Sequence, residues 1–376
     1  MLGIKTPFPP MEALSVDEIP VGPNWQYEPK WDGFRCLALR DRSNVLLQSK
    51  SGQPPARYFP ELVESLLALK ALHFALDGEI VVPVDDALSF DQLLQRIHPA
   101  ESRVRKLSVE SPALLVVFDL LVDERGAKLI YLPLSERRTR LEAWAKKWLA
   151  KADRIVLSPM TTELRTARRW FASAGSSLDG VIAKRCDAAY LSGKREGMLK
   201  IKPVHTIDCV VGGFRYASAG KVVGSLLLGL YDDEGLLHHV GFSSSFKAAE
   251  RAKLTKKLER LVRLPGFTGN APGGLSRWST ERSAEWQPLA PKLVVEVSFD
   301  HFTGGRFRHG TKLLRWRPDK APRQCTFDQL PKTGKNLLRL LAAAAKAAPL
   351  RTAAAERIRA PQRIAKPKRP AGTAKS

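Results

Sequence analysis

Acidic residues and cysteine are both scarce in this chain of 376 residues, and long apolar runs are missing altogether. Asp and Glu number 38 against 61 Lys and Arg, which leaves a formal net charge of +23. A surplus of that size points to a polyanionic partner held through phosphate contacts, nucleic acid first, with binding that weakens as salt rises. The four cysteines, Cys36, Cys186, Cys209 and Cys325, lie far apart with no C-x-x-C pair, so neither a disulfide framework nor a zinc ribbon is indicated and a reducing cytosol fits. There is no N-terminal apolar signal region and no apolar stretch of membrane length. The expectation is therefore a soluble cytoplasmic protein, associated with the nucleoid and with no membrane partner. No internal repeat is present.

What the chain does contain is organised as two domains, since its length exceeds what one core usually supports. Residues 1–23 carry Pro7, Pro9, Pro10, Pro20 and Pro23 and read as an extended leader lying along the first strands. Strands at 45–48, 74–82, 113–122, 181–184 and 199–202 then alternate with helices at 61–70, 90–97, 135–148 and 162–174. This pattern predicts an α+β domain of mixed, mostly antiparallel sheets over residues 1–203. Within it the basic stretch 99–106 reads as a loop, either solvated or touching a phosphate backbone. Short strands at 209–214, 222–231, 236–242, 293–302 and 312–316, with a helix over 246–261, predict a small β-barrel of the OB type over residues 204–331. A helix-prone stretch at 335–348 opens the segment 332–376, whose Ala/Lys/Arg-rich end has one acidic residue, Glu356; this tail either holds DNA loosely or is simply solvated.

The arrangement centres on Lys30, within Glu28-Pro29-Lys30-Trp31-Asp32-Gly33-Phe34-Arg35. It falls between a short extended run, 24–28, and a strand, 34–40, beside an Asp32-Gly33 turn. About one solvated lysine in 2,500 is a free amine at pH 7, so a nucleophilic lysine needs desolvation or cationic neighbours, which Trp31, Phe34 and Arg35 can supply. Taken alone, the segment reads first as a surface lysine in a turn followed by a buried strand. Glu79 stands in the otherwise apolar 76–82, where a carboxylate needs a cation, a metal or hydrogen-bond donors. Phe118 ends an apolar strand, where it either stacks on a base or fills the core. Asp179-Gly180 leads into another apolar strand closed by Lys184. Lys200 and Lys202, at i and i+2, share one strand face, where two ammoniums repel unless an anion such as a phosphate lies between them.

The ordered series Lys30-Trp31-Asp32-Gly33-Phe34-Arg35, Ser49-Lys50-Ser51-Gly52, Asp77-Gly78-Glu79, Phe118-Asp119, Asp179-Gly180-Val181-Ile182-Ala183-Lys184, Lys200-Ile201-Lys202 and Arg315-Trp316-Arg317-Pro318-Asp319-Lys320 resembles the motif series of the covalent nucleotidyltransferases. Specifically, it resembles the ATP-dependent DNA ligases of the compact bacterial stand-alone ligase C type, over roughly residues 5–330. It departs from the family pattern at Lys50, usually arginine, which keeps the charge and loses bidentate phosphate geometry. It departs again at Asp179, more often glutamate, which makes a metal ligand there one methylene shorter.

The resemblance implies an adenylation domain followed by an OB-fold domain, and sealing of nicked duplex DNA, in repair, through a lysyl-AMP intermediate. Lys30 is implied as the nucleophile. Lys200 and Lys202 are implied at the α-phosphate of ATP, Phe118 on adenine, the backbone around Glu28 at the adenine edge, and Lys184 in the same nucleotide site. Glu79 is implied at the ribose or a metal, Asp179 at the metal, Mg²⁺ or Mn²⁺, and Arg35 and Lys50 at the nick 5′-phosphate. Arg315, Arg317, Asp319 and Lys320, on the second domain, are implied at the nucleotide, with Asp319 and Lys320 orienting the leaving pyrophosphate when that domain closes. A monomer is expected, with DNA-repair proteins as its protein partners. Capping guanylyltransferases and RNA ligases share the lysine motif and stand as alternatives, as does a non-catalytic DNA-binding scaffold. An NAD-dependent ligase is disfavoured because its zinc-binding cysteine set is missing.

Overall fold

The structure, a computed structural model, describes residues 3–85, 87–174, 178–218, 220–273, 285–330 and 341. The helix expected at 335–348 and the basic end of 332–376 lie outside the described residues, Leu341 apart. The first part of the chain forms two sheets. One contains Leu14–Val16 (β1), Trp25–Trp31 (β2), Leu178–Arg185 (β10) and Met198–Ile201 (β11) in the order β1-β11-β10-β2. The other contains Phe34–Asp41 (β3), Asn44–Ser49 (β4), His73–Val81 (β5), Leu114–Val122 (β8) and Ile155–Leu157 (β9) in the order β4-β3-β5-β8-β9. A short ribbon of Pro83–Val84 (β6) and Ala87–Leu88 (β7) follows β5. Within the two sheets every pairing is antiparallel except β1 with β11 and β8 with β9, as the mixed-sheet expectation required.

Helices cover the outer faces. Pro60–Ala68 (α1) starts with proline at its first position, where the missing N–H costs nothing, and turns Leu62 and Leu66 inward at i and i+4. With Leu141, Trp144 and Ala145 of Leu134–Trp148 (α4), these residues close over Cys36, Ala38, Leu76, Ile80, Leu115 and Val117 of the second sheet. Phe90–Gln95 (α2) is capped by the Ser89 hydroxyl, which accepts from the Gln92 N–H. Leu164–Ala172 (α5) packs Ala167 and Trp170 against Tyr27, Trp31, Val181 and Ala183 of the first sheet. Residues 99–106 are not the loop expected. Glu101–Glu110 is a helix (α3) that buries only Val104 and is supported by the i,i+4 pairs Glu101–Arg105 and Lys106–Glu110, each worth about 0.2–0.5 kcal/mol. Its apolar stripe is too narrow to stand out from its charges.

The second part is built from His205–Tyr216 (β12), Val223–Tyr231 (β13), Leu237–Ser243 (β14), Arg251–Glu259 (α6), Gln287–Pro288 (β15), Val294–Phe299 (β16), Phe302–Thr303 (β17), Arg306–Phe307 (β18) and Lys312–Trp316 (β19). Its main sheet runs β14-β13-β12-β16-β19 around a core that includes Phe214, Leu226, Leu228, Val240, Val295 and Val297. The edge strands meet through the bridge from Ser243 to Thr311, which gives an OB-like domain without a continuously closed barrel. The strand expected over 293–302 stops at Phe299, and the chain then makes the small β17–β18 hairpin. All four cysteines are free thiols. Among the described residues no helix is long and apolar enough to cross a membrane.

Candidate active site

Strand periodicity builds the site. Side chains alternate faces along a strand, so in the first sheet Tyr27, Trp31, Val181, Ala183 and Ile201 turn to α5 while Glu28, Lys30, Ile182, Lys184, Met198 and Lys200 line a cleft on the other face. From the opposite sheet Arg35 of β3, Glu79 of β5 and Phe118 of β8 reach the same cleft, and Lys50, just past β4, stands there with Met11 and Glu12 of the leader. Lys30 belongs to β2 itself, opposite Gly180 of β10, rather than to a turn. The Asp-Gly steps have a steric reason. A Cβ on Gly33 would stand 2.1 Å from the Ile80 carbonyl oxygen. One on Gly180, whose φ is +133°, would stand 2.0 Å from that of Ile201. Only glycine lets these backbones approach closely enough to bring Asp32 and Asp179 beside Lys30.

Asp179 is the electrostatic centre. Its carboxylate is ion-paired with Lys30, lies 2.9 Å from Lys202 Nζ, and lies 2.5 Å from Nε2 of His301, which comes from the second domain. Burial by itself would raise its pKa, but the His301 hydrogen bond and the two ammoniums outweigh burial and hold it well below the usual carboxylate range. Glu79 behaves oppositely: burial pushes it up to about 7, with Lys30 and Arg35 offsetting only part of that rise. Burial lowers Lys200, and so do the nearby charges of Lys202, Lys30, Lys50 and Arg195. The cleft therefore has a crowded cationic mouth.

Behind it the polar groups pair off. Lys184 donates to both oxygens of Glu28, at 2.8 and 2.9 Å, in a buried pair, and its ammonium lies 4.6 Å from the centre of the Phe118 ring. Arg35 also lies 4.6 Å from that centre and donates through Nε and Nη2 to the fully buried Asp77. Asp119, next to Phe118, points away from the cleft into a bidentate pair with Arg137.

Lys30, Glu28, Arg35, Lys50, Glu79, Phe118, Lys184 and Lys200 thus meet in one cleft, with Asp179 paired to both Lys30 and Lys202. The closing motif does not meet them. Arg317 donates to Asp208 and Asp319, Lys320 lies 3.5 Å from Asp208, and Arg315 pairs with Glu296, all within the second domain. That domain turns a different face to the cleft: His301 reaches Asp179, and Arg308 donates to Asp32 at 2.6 Å while lying over the Phe90 ring. Asp32, Asp179 and His301 offer metal-ligand atoms within 4.8 Å of one another, a group without Glu79, the expected companion of Asp179. Sequence reasoning missed Glu12, Asp32, Arg195, His301 and Arg308 as members of the site. Of these only Asp32 stood inside a motif.

Comparison with known proteins identifies the family. Residues 10–202 match the family model described as ATP dependent DNA ligase domain, and residues 219–320 match the one described as ATP dependent DNA ligase C terminal region. DNA ligase C of Mycobacterium tuberculosis is 43% identical over 347 residues, covering 88% of this chain and 95% of that protein. DNA ligase C2 of Mycolicibacterium smegmatis is 43% identical over 351 residues, covering 88% and 96%. A solved structure from a structure-function analysis of Lig E DNA ligases shares the fold at a TM-score of 0.50 and 15% identity, over 82% of this chain and 100% of that one. Alike in both of its parts to one family, and to these relatives over nearly their whole length, the chain belongs to the ATP-dependent DNA ligases.

Proposed function

We propose that this DNA ligase works through Lys30, with residues 1–203 as adenylation domain, residues 204–331 as OB domain, and residues 332–376 as a basic tail. The Lys30 nitrogen attacks the α-phosphate of ATP, forming an N–P bond as pyrophosphate leaves. An oxygen of the 5′-phosphate at a DNA nick then attacks that phosphorus and the N–P bond breaks. Finally the 3′-hydroxyl attacks the DNA phosphate, AMP leaves, and the phosphodiester is sealed. Such transfers need in-line positioning and neutralisation of charge on the phosphate oxygens, and a mouth crowded with Lys200, Lys202 and Lys50 suits that need.

In this reading Phe118 carries adenine, with the buried Lys184–Glu28 pair fixing the wall beside it. Lys200 and Lys202 flank the α-phosphate. Lys50, and Arg35 by the part of its guanidinium not turned to Asp77, grip the nick 5′-phosphate. Asp179 and Glu79 would hold a divalent cation, Mg²⁺ or Mn²⁺, which when bound neutralises charge on the α-phosphate; oxygen donors of this kind suit either ion. Lys30 must leave its pair with Asp179 before its nitrogen can attack. Asp319 and Lys320, with Arg315 and Arg317, act on the leaving pyrophosphate only after the second domain turns its other face to the cleft. The cellular role is DNA repair, by end joining or base-excision repair.

The observation that carries this reading is the gathering of Lys30, Glu79, Phe118, Lys184 and Lys200, from five different strands of two sheets, around one cleft. The test is labelling with α-labelled ATP: the protein should acquire an acid-labile label and Lys30→Ala none. A label that persists in Lys30→Ala rejects Lys30 as the nucleophile.

A further inference from the structure

The leader crosses the mouth of the cleft and is pinned on both sides. The Phe8 N–H and C=O bond to the Gln48 side chain at 2.8 and 2.6 Å, the Ser192 hydroxyl donates to the Pro9 carbonyl, and the Glu12 N–H donates to the Lys194 carbonyl at 2.8 Å. Met11 is held between Tyr190 and Arg35, both of which bond to Asp77. On this fixed backbone, Glu12 Oε2 lies 3.1 Å from Lys50 Nζ and 3.1 Å from Arg195 Nε. Its two partners are themselves largely exposed, at 60% and 66%. Lys200 lines the same cleft and feels the charge of both. One carboxylate thus bridges two cations from loops 145 residues apart in sequence, at the edge of a cleft with a further surplus of lysine.

We propose that Glu12 stands in for a phosphate: Lys50 and Arg195, with Lys200 beside them, form a subsite for the terminal 5′-phosphate of the nicked strand, and Glu12 fills it until that phosphate displaces the carboxylate. The inference rests on the ligase reading above and deepens it. Charge makes the subsite selective. A terminal phosphomonoester carries close to two negative charges at neutral pH, so it outcompetes one carboxylate for the two cations. An internal phosphodiester carries one and gains nothing by the exchange, and a 5′-hydroxyl carries none. Glu12 is therefore a specificity-determining residue that makes Lys50 and Arg195 unavailable to ordinary DNA backbone. Arg195 is an added member of the phosphate-binding set.

The experiment measures affinity of the full chain, in EDTA so that no sealing occurs, for three duplexes: a nick with 5′-phosphate, a nick with 5′-hydroxyl, and an intact duplex. Glu12→Gln should tighten binding of the last two by about fivefold, the size set by exposed ion pairs, and narrow the preference for the 5′-phosphate nick by a similar factor. The slope of log affinity against log salt should steepen by about one unit as a further phosphate contact becomes available. Arg195→Ala should cost more affinity in the Glu12→Gln background than in the native one. Equal weakening on all three duplexes with an unchanged preference would make Glu12 a structural brace and overturn the proposal, as would an equal cost of Arg195→Ala in both backgrounds. Labelling with α-labelled ATP separates the two levels: an unlabelled native protein rejects the ligase reading, whereas a labelled one with an unchanged preference in Glu12→Gln rejects only this inference.

Discussion

Lys200 and Lys202 stand at the end of β11 in the first domain, and Arg315, Arg317 and Lys320 stand along and just past β19 in the second. Both segments place cations at alternate or nearly alternate positions at a strand end, yet one serves the cleft and the other is tied up at home. Lys202 reaches Asp179 and Lys200 lines the cleft because β11 is paired with β10 in a register that fixes Ile182 opposite Lys200. Arg317 and Lys320 pair instead with Asp208 of β12, which lies beyond β16 in their own OB-like sheet. A motif inside one sheet is positioned by folding itself. A motif on a separate domain is positioned by how that domain lies, and here that domain meets the cleft through His301 and Arg308 instead.

The sharpest way to test this contrast is kinetic. Lys202→Ala, which strips a fixed cation from the cleft, should slow both protein labelling by ATP and sealing of pre-adenylated nicks, on the order of 1,000-fold for the former. An effect confined to one step would break the symmetry claimed for the fixed segment. A purely structural pair in the same domain provides the control. Asp119→Ala leaves Arg137 buried without its partner and should cost about 3 kcal/mol of stability, read from urea unfolding, with stability rather than the chemical step as the primary loss. Lys320→Ala, in the movable segment, should slow labelling by ATP about 100-fold while sealing of pre-adenylated nicks stays largely intact. Equal loss in both steps would sink the division of labour between the two faces of the second domain.

A further test concerns Glu79 and pH. Because burial raises its pKa from the usual 4.5 to about 7 in the folded chain, the folded state keeps a proton that the unfolded state has released. The stability cost of this carboxylate is therefore absent below about pH 4.5, grows as pH rises toward 7, and is constant above that. Relative to the native protein, Glu79→Gln should gain in Tm between pH 5 and pH 8; a difference in Tm that does not change with pH would show that Glu79 is not the group responsible.

Part of the cleft could be read from the chain because its residues belong to strands, and a strand's period of two is local. Lys200 with Lys202 declare a shared face by spacing alone, whereas Glu28 and Lys30 share one because β2 runs through both where a turn was expected, and the close backbone approaches at Gly33 and Gly180 are made with segments distant in sequence. The α3 helix escaped notice because one buried side chain, Val104, is too thin a signal against a background of charge. Glu12, Arg195, His301 and Arg308 escaped for a different reason. Each is recruited by a partner distant in sequence, His301 by Asp179 and Arg308 by Asp32 across 122 and 276 positions, and no local pattern encodes such a meeting. The amino-acid sequence thus determined which side chains share a strand face and which family chemistry they suit. Only the tertiary structure decided which charges neutralise one another and which face of the second domain meets the cleft, since charge pairing acts through space between segments that the order of residues leaves unrelated.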